Sequence, residues 1–144
     1  MTIAQILKQK GFNVTSIEPT ATIAELAQLL HEKRIGAVLV IDSAGQLVGI
    51  VSERDIVRCL SQHGAAVLKM TAAQLMTSDL QTTTTRMTVD EALGMMTDGR
   101  FRHIPVVEDG KLIGLVSIGD VVKAKISEQE HDVDSLRAYV AGAA

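Results

Sequence analysis

Apolar positions along the chain switch between two periods. After Thr22, the residues Ile23, Leu26, Ala27 and Leu30 recur at i, i+3, i+4 and i+7, the spacing of one face of a helix. The period then gives way to the β-rich run AVLVI, a DSAG turn and the run QLVGIV, which together predict a hairpin. A Ser-x-x-Asp segment opens a second helix over about Glu53–His63. The same succession returns further on. Val89, Ala92, Leu93 and Met96 give the helical face, HIPVV and KLIGLV flank an EDG turn, and a second helix is predicted over about Gly119–Gln129. A short extended segment leads each succession, NVTSI first and DLQTT second, so each reads β-α-β-β-α.

The repetition extends to polar positions. At a displacement of 66 residues Thr22 meets Thr88, Glu25 meets Glu91, Arg34 meets Arg100 and Val40 meets Val106. One residue is deleted in the second turn. At 65 residues Gly45 then meets Gly110, Gly49 meets Gly114, Ser52 meets Ser117 and Asp55 meets Asp120. Matches at Thr, Glu, Arg, Gly, Ser and Asp mark an internal duplication. In both copies Thr-x-x-Glu predicts a capping box, with the Thr hydroxyl taking a helix amide and the Glu reaching back. The predicted organisation is an N-terminal helix (1–12), copy one (13–64), a linker (65–78), copy two (79–130) and a C-terminal tail (131–144) that extends as helix before its last few residues fray. A three-stranded sheet with two helices on one face leaves its other face bare. The expected fold is therefore α+β, two copies packed sheet to sheet in one pseudo-two-fold module.

Composition narrows the function. Of the 144 residues 47% are apolar and 22% charged, a globular balance. The net charge of −3 and the lack of a basic run speak against nucleic acid as partner. Two Phe, one Tyr and no Trp leave almost nothing on which to stack bases. No apolar stretch approaches the ~20 residues that span a bilayer. Without a secretory pattern at the start, and with Cys59 alone, a cytoplasmic protein with no internal disulfide and no membrane partner is expected.

The repeated Ser-x-x-Asp admits two readings. It is a helix cap, with the Asp favouring the positive end of the helix. Alternatively, the Ser at a strand end and the Asp in the first helical turn face a ligand. The carboxylate then accepts from both hydroxyls of a ribose, and the hydroxyl and free amides hold a phosphate or ribose oxygen. Nearby apolar strand residues would sandwich the base.

The β-α-β-β-α copies, the Gly-h-x-Ser-x-x-Asp motif, the RHIPVV strand, the LMT lead-in to copy two and SERD followed by IVR resemble a tandem pair of cystathionine-β-synthase (CBS) domains, over about Val14 to Ile126. The likeness is to small stand-alone bacterial pairs. It implies a non-catalytic sensor that binds adenosyl ligands (AMP, ADP, ATP, NAD(H) or S-adenosylmethionine) in two clefts between the copies. It also implies a homodimer and a regulated protein on a separate chain, with no catalytic cofactor and no metal. By that resemblance Ser52 and Asp55 work with Met76, Gln81, Phe101, Arg102 and His103. Ser117 and Asp120 work with Lys10, Thr15, Ile35, Gly36 and Ala37. Arg54, Arg102 and His103 are then available for phosphate at the first site, whereas Gly119, Gly36 and Ala37 stand in their places at the second. The Asp55 site should take a phosphorylated ligand more strongly.

The other candidates have plainer readings. Arg102 and His103 are phosphate contacts or strand-edge residues, and Arg54 is a phosphate contact or a partner for a surface acid such as Glu53. Cys59 reads as a buried thiol rather than a redox sensor, and Met95 and Met96 as core. His31, His63 and His131 lack metal-ligand spacing. No nucleophile–base pair, His-Glu-x-x-His or phosphate loop supports an enzyme. A ligand-free interaction module, in which the Ser–Asp pairs are only caps, is the other alternative.

Overall fold

The computed structural model describes residues 1–143, which divide into two units. One comprises Met1–Phe12 with Thr82–Ala144, the other Asn13–Gln81. The helix of the tail runs to Ala143, further than the expected fraying of its last few residues, and Ala144 lies outside the described residues.

The Asn13–Gln81 unit carries copy one. Its elements are β1 (Ser16–Ile17), α2 (Ile23–Lys33), β2 (Ala37–Ile41), β3 (Leu47–Ser52) and α3 (Glu53–His63), with α1 reserved for the N-terminal helix Ile3–Lys10. β1 runs parallel to β2 and β2 antiparallel to β3, giving the sheet order β1-β2-β3. Thr22 caps α2 by accepting the Glu25 amide. The expected return bond from Glu25 does not form, so the cap is half a box. The helix ends on Arg34 in the left-handed region at φ 55°, and its counterpart Arg100 ends the corresponding helix at the same φ. The hairpin turns through Gly45 at φ 81°, where glycine carries no Cβ penalty.

The predicted linker is part of this core. Gly64–Lys69 forms a 3-10 turn and Ala72–Leu75 a short helix, α4. Val67, Ala72 and Leu75 are buried with Ile23, Leu26, Val38, Val40 and Val51. Thr77 then exchanges two backbone hydrogen bonds with Ile50, at 3.0 and 2.9 Å, tying the LMT segment to β3.

The other unit carries copy two: α5 (Val89–Gly99), β4 (His103–Glu108), β5 (Lys111–Ser117) and α6 (Ile118–Ala143). Its core is completed by α1. Ile3, Ile6 and Leu7 are buried with Val89, Ala92, Met96, Ile104, Val106 and Val116. The helix that precedes copy one therefore belongs to copy two, just as α4, which precedes copy two, belongs to copy one. A second repeat explains the placement. MTIAQIL at Met1 and MTAAQLM at Met70 are alike, and the side chains of Gln5 and Gln74 accept from the amides of Thr2 and Thr71 at 2.8 and 2.9 Å. The Met1 carbonyl accepts from Val89 and the Met70 carbonyl from Ile23, the matching residues of α5 and α2.

Copy two departs from the expected three-stranded sheet. DLQTT contributes only an isolated parallel bridge, Thr83 to Val106, and the sheet is two-stranded. The cause is Pro105. In copy one the Leu39 amide donates to the Thr15 carbonyl at 3.1 Å. Pro105 occupies the Leu39 position and has no N–H to donate. The bonds that survive are Thr83 N–H to the Pro105 carbonyl and Val107 N–H to the Thr83 carbonyl. Both hairpins keep the same register shift, at Val40/Ile41 and Val106/Val107.

Candidate functional site

Each Ser-x-x-Asp lies where the last strand of its copy becomes a helix. β3 ends on Ser52 and α3 begins at Glu53. The Asp55 amide donates to Ser52 Oγ at 3.3 Å, and Asp55 Oδ2 accepts the Ser52 amide at 2.8 Å and its hydroxyl at 3.0 Å. The other oxygen, Oδ1, accepts from Arg58 Nη2 at 2.9 Å. Asp55 is 7% exposed, one of two buried polar side chains among the described residues. A carboxylate is tolerated at that depth because its oxygens take three donors and face the positive end of a helix. Arg58 was not among the candidates named from sequence. Its signal was present, an Asp–Arg pair at i and i+3 on one helix face.

The strand beside Ser52 brings the small residues of copy one to the same place. Ala37 pairs with Ser52, and the Gly36 carbonyl accepts the Glu53 amide at 2.9 Å. Ile35 packs against the core, and Thr15 holds β2 through its carbonyl. The Met76 side chain lies against Gly49, where an added Cβ would come within 2.5 Å of its sulfur. Gln81 is exposed beyond that segment. Arg54 is exposed on α3 and, with Glu53, Val57 and Arg58, lines an open depression of about 440 Å³.

The second junction follows the same plan with a different cation. Asp120 Oδ2 accepts the Ser117 amide at 2.8 Å, and Ser117 Oγ accepts the Asp120 amide at 3.1 Å. Lys10, in the last turn of α1, donates to Asp120 Oδ2 and to the Leu115 carbonyl. Partial burial pushes the Asp120 pKa up. The Lys10 hydrogen bond and charge, together with both groups of Ser117, outweigh it and hold the carboxyl below its ordinary value of 3.8. Beside this junction lie the residues of the RHIPVV strand. His103 pairs with Ser117, and the Arg102 carbonyl accepts the Ile118 amide at 2.7 Å. Arg102 is exposed and His103 half-buried. Phe101 packs on Gly99 and on the core of its unit.

The candidate residues thus divide by unit. Ser52, Arg54, Asp55, Thr15, Ile35, Gly36, Ala37, Met76 and Gln81 fall in one, and Lys10, Phe101, Arg102, His103, Ser117 and Asp120 in the other. Cys59 is a half-buried thiol against the core of its unit, and Met96 is core. Among the described residues no group of three His, Cys, Asp or Glu is placed to hold a metal, and no helix is long and apolar enough to cross a membrane.

The family model for the CBS domain matches this chain twice, over residues 4–62 and 72–127. The chain belongs to the CBS domain family and is a tandem pair. Its similarity to the mitochondrial CBS domain-containing protein CBSX3 of Arabidopsis thaliana is 34% identity, covering 98% of this chain and 72% of that one. The crystal structure of the CBS-domain containing protein ATU1752 from Agrobacterium tumefaciens superposes with a TM-score of 0.85 at 42% identity, over 86% of this chain and 92% of that one. The CBS domain pair of protein MJ0100, solved in complex with 5′-methylthioadenosine and S-adenosyl-L-methionine, matches with a TM-score of 0.78 at 25% identity, over 89% and 98%.

Proposed function

We propose that this CBS pair is a non-catalytic sensor that binds adenosyl ligands at its two Ser-x-x-Asp junctions and passes their occupancy to a partner protein. The observation that carries this reading is the twice-built junction. A carboxylate stands in the first turn of a helix with its serine at the strand end, and each carboxylate also holds a cation from its own chain. A ribose presents two hydroxyls that such a carboxylate accepts, in exchange for the cation. The MJ0100 pair was solved with two molecules that share an adenosine, and this supports the same ligand class here. AMP, ADP, ATP and NAD(H) carry that group together with phosphate. Arg54 and Arg58 beside Asp55 favour the phosphorylated ligands there. Their positions at the other junction are held by Gly119 and Lys123. Occupancy acts by linkage: a ligand shifts an equilibrium only by its differential affinity for the two states.

The test begins with the purified protein. A chain with one Tyr and no Trp is nearly transparent at 280 nm, so a bound adenine nucleotide shows as a 260 nm band and is identified by mass spectrometry after denaturation. Calorimetric titration with AMP, ATP, NADH and S-adenosylmethionine follows, on the parent and on Asp55→Ala and Asp120→Ala. Loss of binding at each altered junction is the expected result. A ligand-free interaction module is favoured by a specific observation as well, because both Ser–Asp pairs already form complete caps. Silence with every adenosyl ligand selects that reading.

A further inference from the structure

The two junctions differ in where their cation comes from. At the first, Arg58 stands one turn along the same helix from Asp55, with its side chain 59% exposed, so it can turn out into water without shifting another element. At the second, Lys10 comes from the last turn of α1, and its Nζ makes two bonds. One goes to Asp120 Oδ2, the other to the Leu115 carbonyl of β5 at 2.8 Å. A carboxylate oxygen offers two lone pairs, and Asp120 Oδ2 already accepts the Ser117 amide and the Lys10 ammonium. The Ser117 amide belongs to the strand-to-helix turn and stays. A ribose diol engages both oxygens of a carboxylate, so it gains Oδ2 only by displacing Lys10.

That displacement reaches beyond one side chain. Leu7 lies against Gly114, where an added Cβ would come within 2.8 Å of its Cδ2, and Ile3, Ile6 and Leu7 are buried. The body of α1 therefore stays on its core when Lys10 lets go. The residues that follow are open. An added Cβ at Gly11 would meet nothing within 4 Å, and Phe12 is 56% exposed. Lys10 ties this end of α1 to β5 and α6 just before the chain passes, after Phe12, into the Asn13–Gln81 unit. The cation at Asp120 is thus held by a bond across the fold, whereas the cation at Asp55 is held within one helix.

We propose that Lys10 is a built-in competitor for the ribose at Asp120, and that a ligand bound there displaces it and unfastens the end of α1 from β5 and α6. The inference rests on the ligand reading of that junction and adds its regulation. Occupancy at Asp120 is felt elsewhere in the chain, whereas occupancy at Asp55 moves only Arg58. The coupling is reciprocal. Lys10 weakens the ligand by the factor by which the ligand weakens the Lys10 contacts.

The experiment uses the full chain with Asp55→Ala, so that the Asp120 junction alone reports. The probe is adenosine, which carries the diol and has no phosphate for Lys10 to pair with. Adding Lys10→Met, which keeps the apolar stem, should tighten adenosine binding about fivefold by calorimetry. A second readout leaves Lys10 in place. Saturating adenosine should speed the acetylation of Lys10 by limiting acetic anhydride, measured by peptide mass spectrometry against Lys8, an exposed residue of the same helix. Adenosine affinity that Lys10→Met leaves unchanged or lowers makes Lys10 a bystander or a ligand contact, and overturns the proposal while the ligand reading stands. Lys10 acetylation that adenosine leaves unchanged or suppresses does the same. If adenosine binds neither with Lys10 nor without it, the proposal falls too, and titration with AMP then decides whether the ligand reading falls with it.

Discussion

Asp55 and Asp120 occupy matching positions and answer to different cations. Arg58 reaches Asp55 from the next turn of the same helix, so that pair is local. Lys10 reaches Asp120 from the opposite end of the chain. The Lys10→Met substitution removes the main group opposing burial, and the Asp120 titration, followed by carboxyl carbon NMR, should move upward. The sign for stability follows from linkage. A carboxyl held below its ordinary value contributes stability that is present above that value and lost as pH falls through the folded value. Asp120 and Glu108 are both of this kind; the Thr85 hydroxyl and amide lower Glu108 below its ordinary 4.5. Urea midpoints should therefore fall as the solution is acidified from about pH 5. For Lys10→Met that acid dependence should be shallower. Gly49 lies against Met76 so closely that Gly49→Ala should cost about 1–3 kcal/mol by denaturant titration, because part of the crowding comes from the Met76 Cβ at 2.9 Å.

At the scale of elements, the periods of three to four and of two placed most helices and both hairpins within a residue or two. The Ser-x-x-Asp motif also marked where strand turns to helix. What the patterns did not convey was destination. Nothing in the apolar face Ile3, Ile6, Leu7 says which copy it covers, since either core would accept it. Only the likeness of MTIAQIL to MTAAQLM carried that information, at a displacement of 69 residues that differs from the main repeat. Arg58 is a related case: its i, i+3 spacing from Asp55 is readable, but an exposed Arg on a polar helix face looks the same whether or not it holds a carboxylate. The bridge at Thr83 was hidden because DLQTT has ordinary strand character, and the missing donor lies on its neighbour, Pro105. α1 is a core element of copy two, so Leu7→Ala should destabilise by about 2–5 kcal/mol. Hydrogen exchange should report the loss first in β4, β5 and α5.

For the molecule as a whole, duplication has left two frames and two sets of fittings. The caps, the register shifts and the left-handed arginines are shared, whereas the basic residues beside each carboxylate are not. Ligand binding should accordingly resolve into two unequal steps by calorimetry, the stronger one abolished by Asp55→Ala and sensitive to Arg54→Ala. A ligand at one hundred times its dissociation constant stabilises the folded state by about 2.7 kcal/mol, which thermal unfolding would register.

The placement of α1 also fixes an order of events during synthesis. Helix α1 leaves the ribosome before the elements of copy two and bears an apolar face, yet the strand it covers is made far later, Lys10 meeting Leu115 across 105 positions. Copy one, with its 3-10 turn and α4, can close as soon as residues up to Gln81 have emerged. Through that interval Ile3, Ile6 and Leu7 wait uncovered, and an element made before copy one is put away only after copy two has been made.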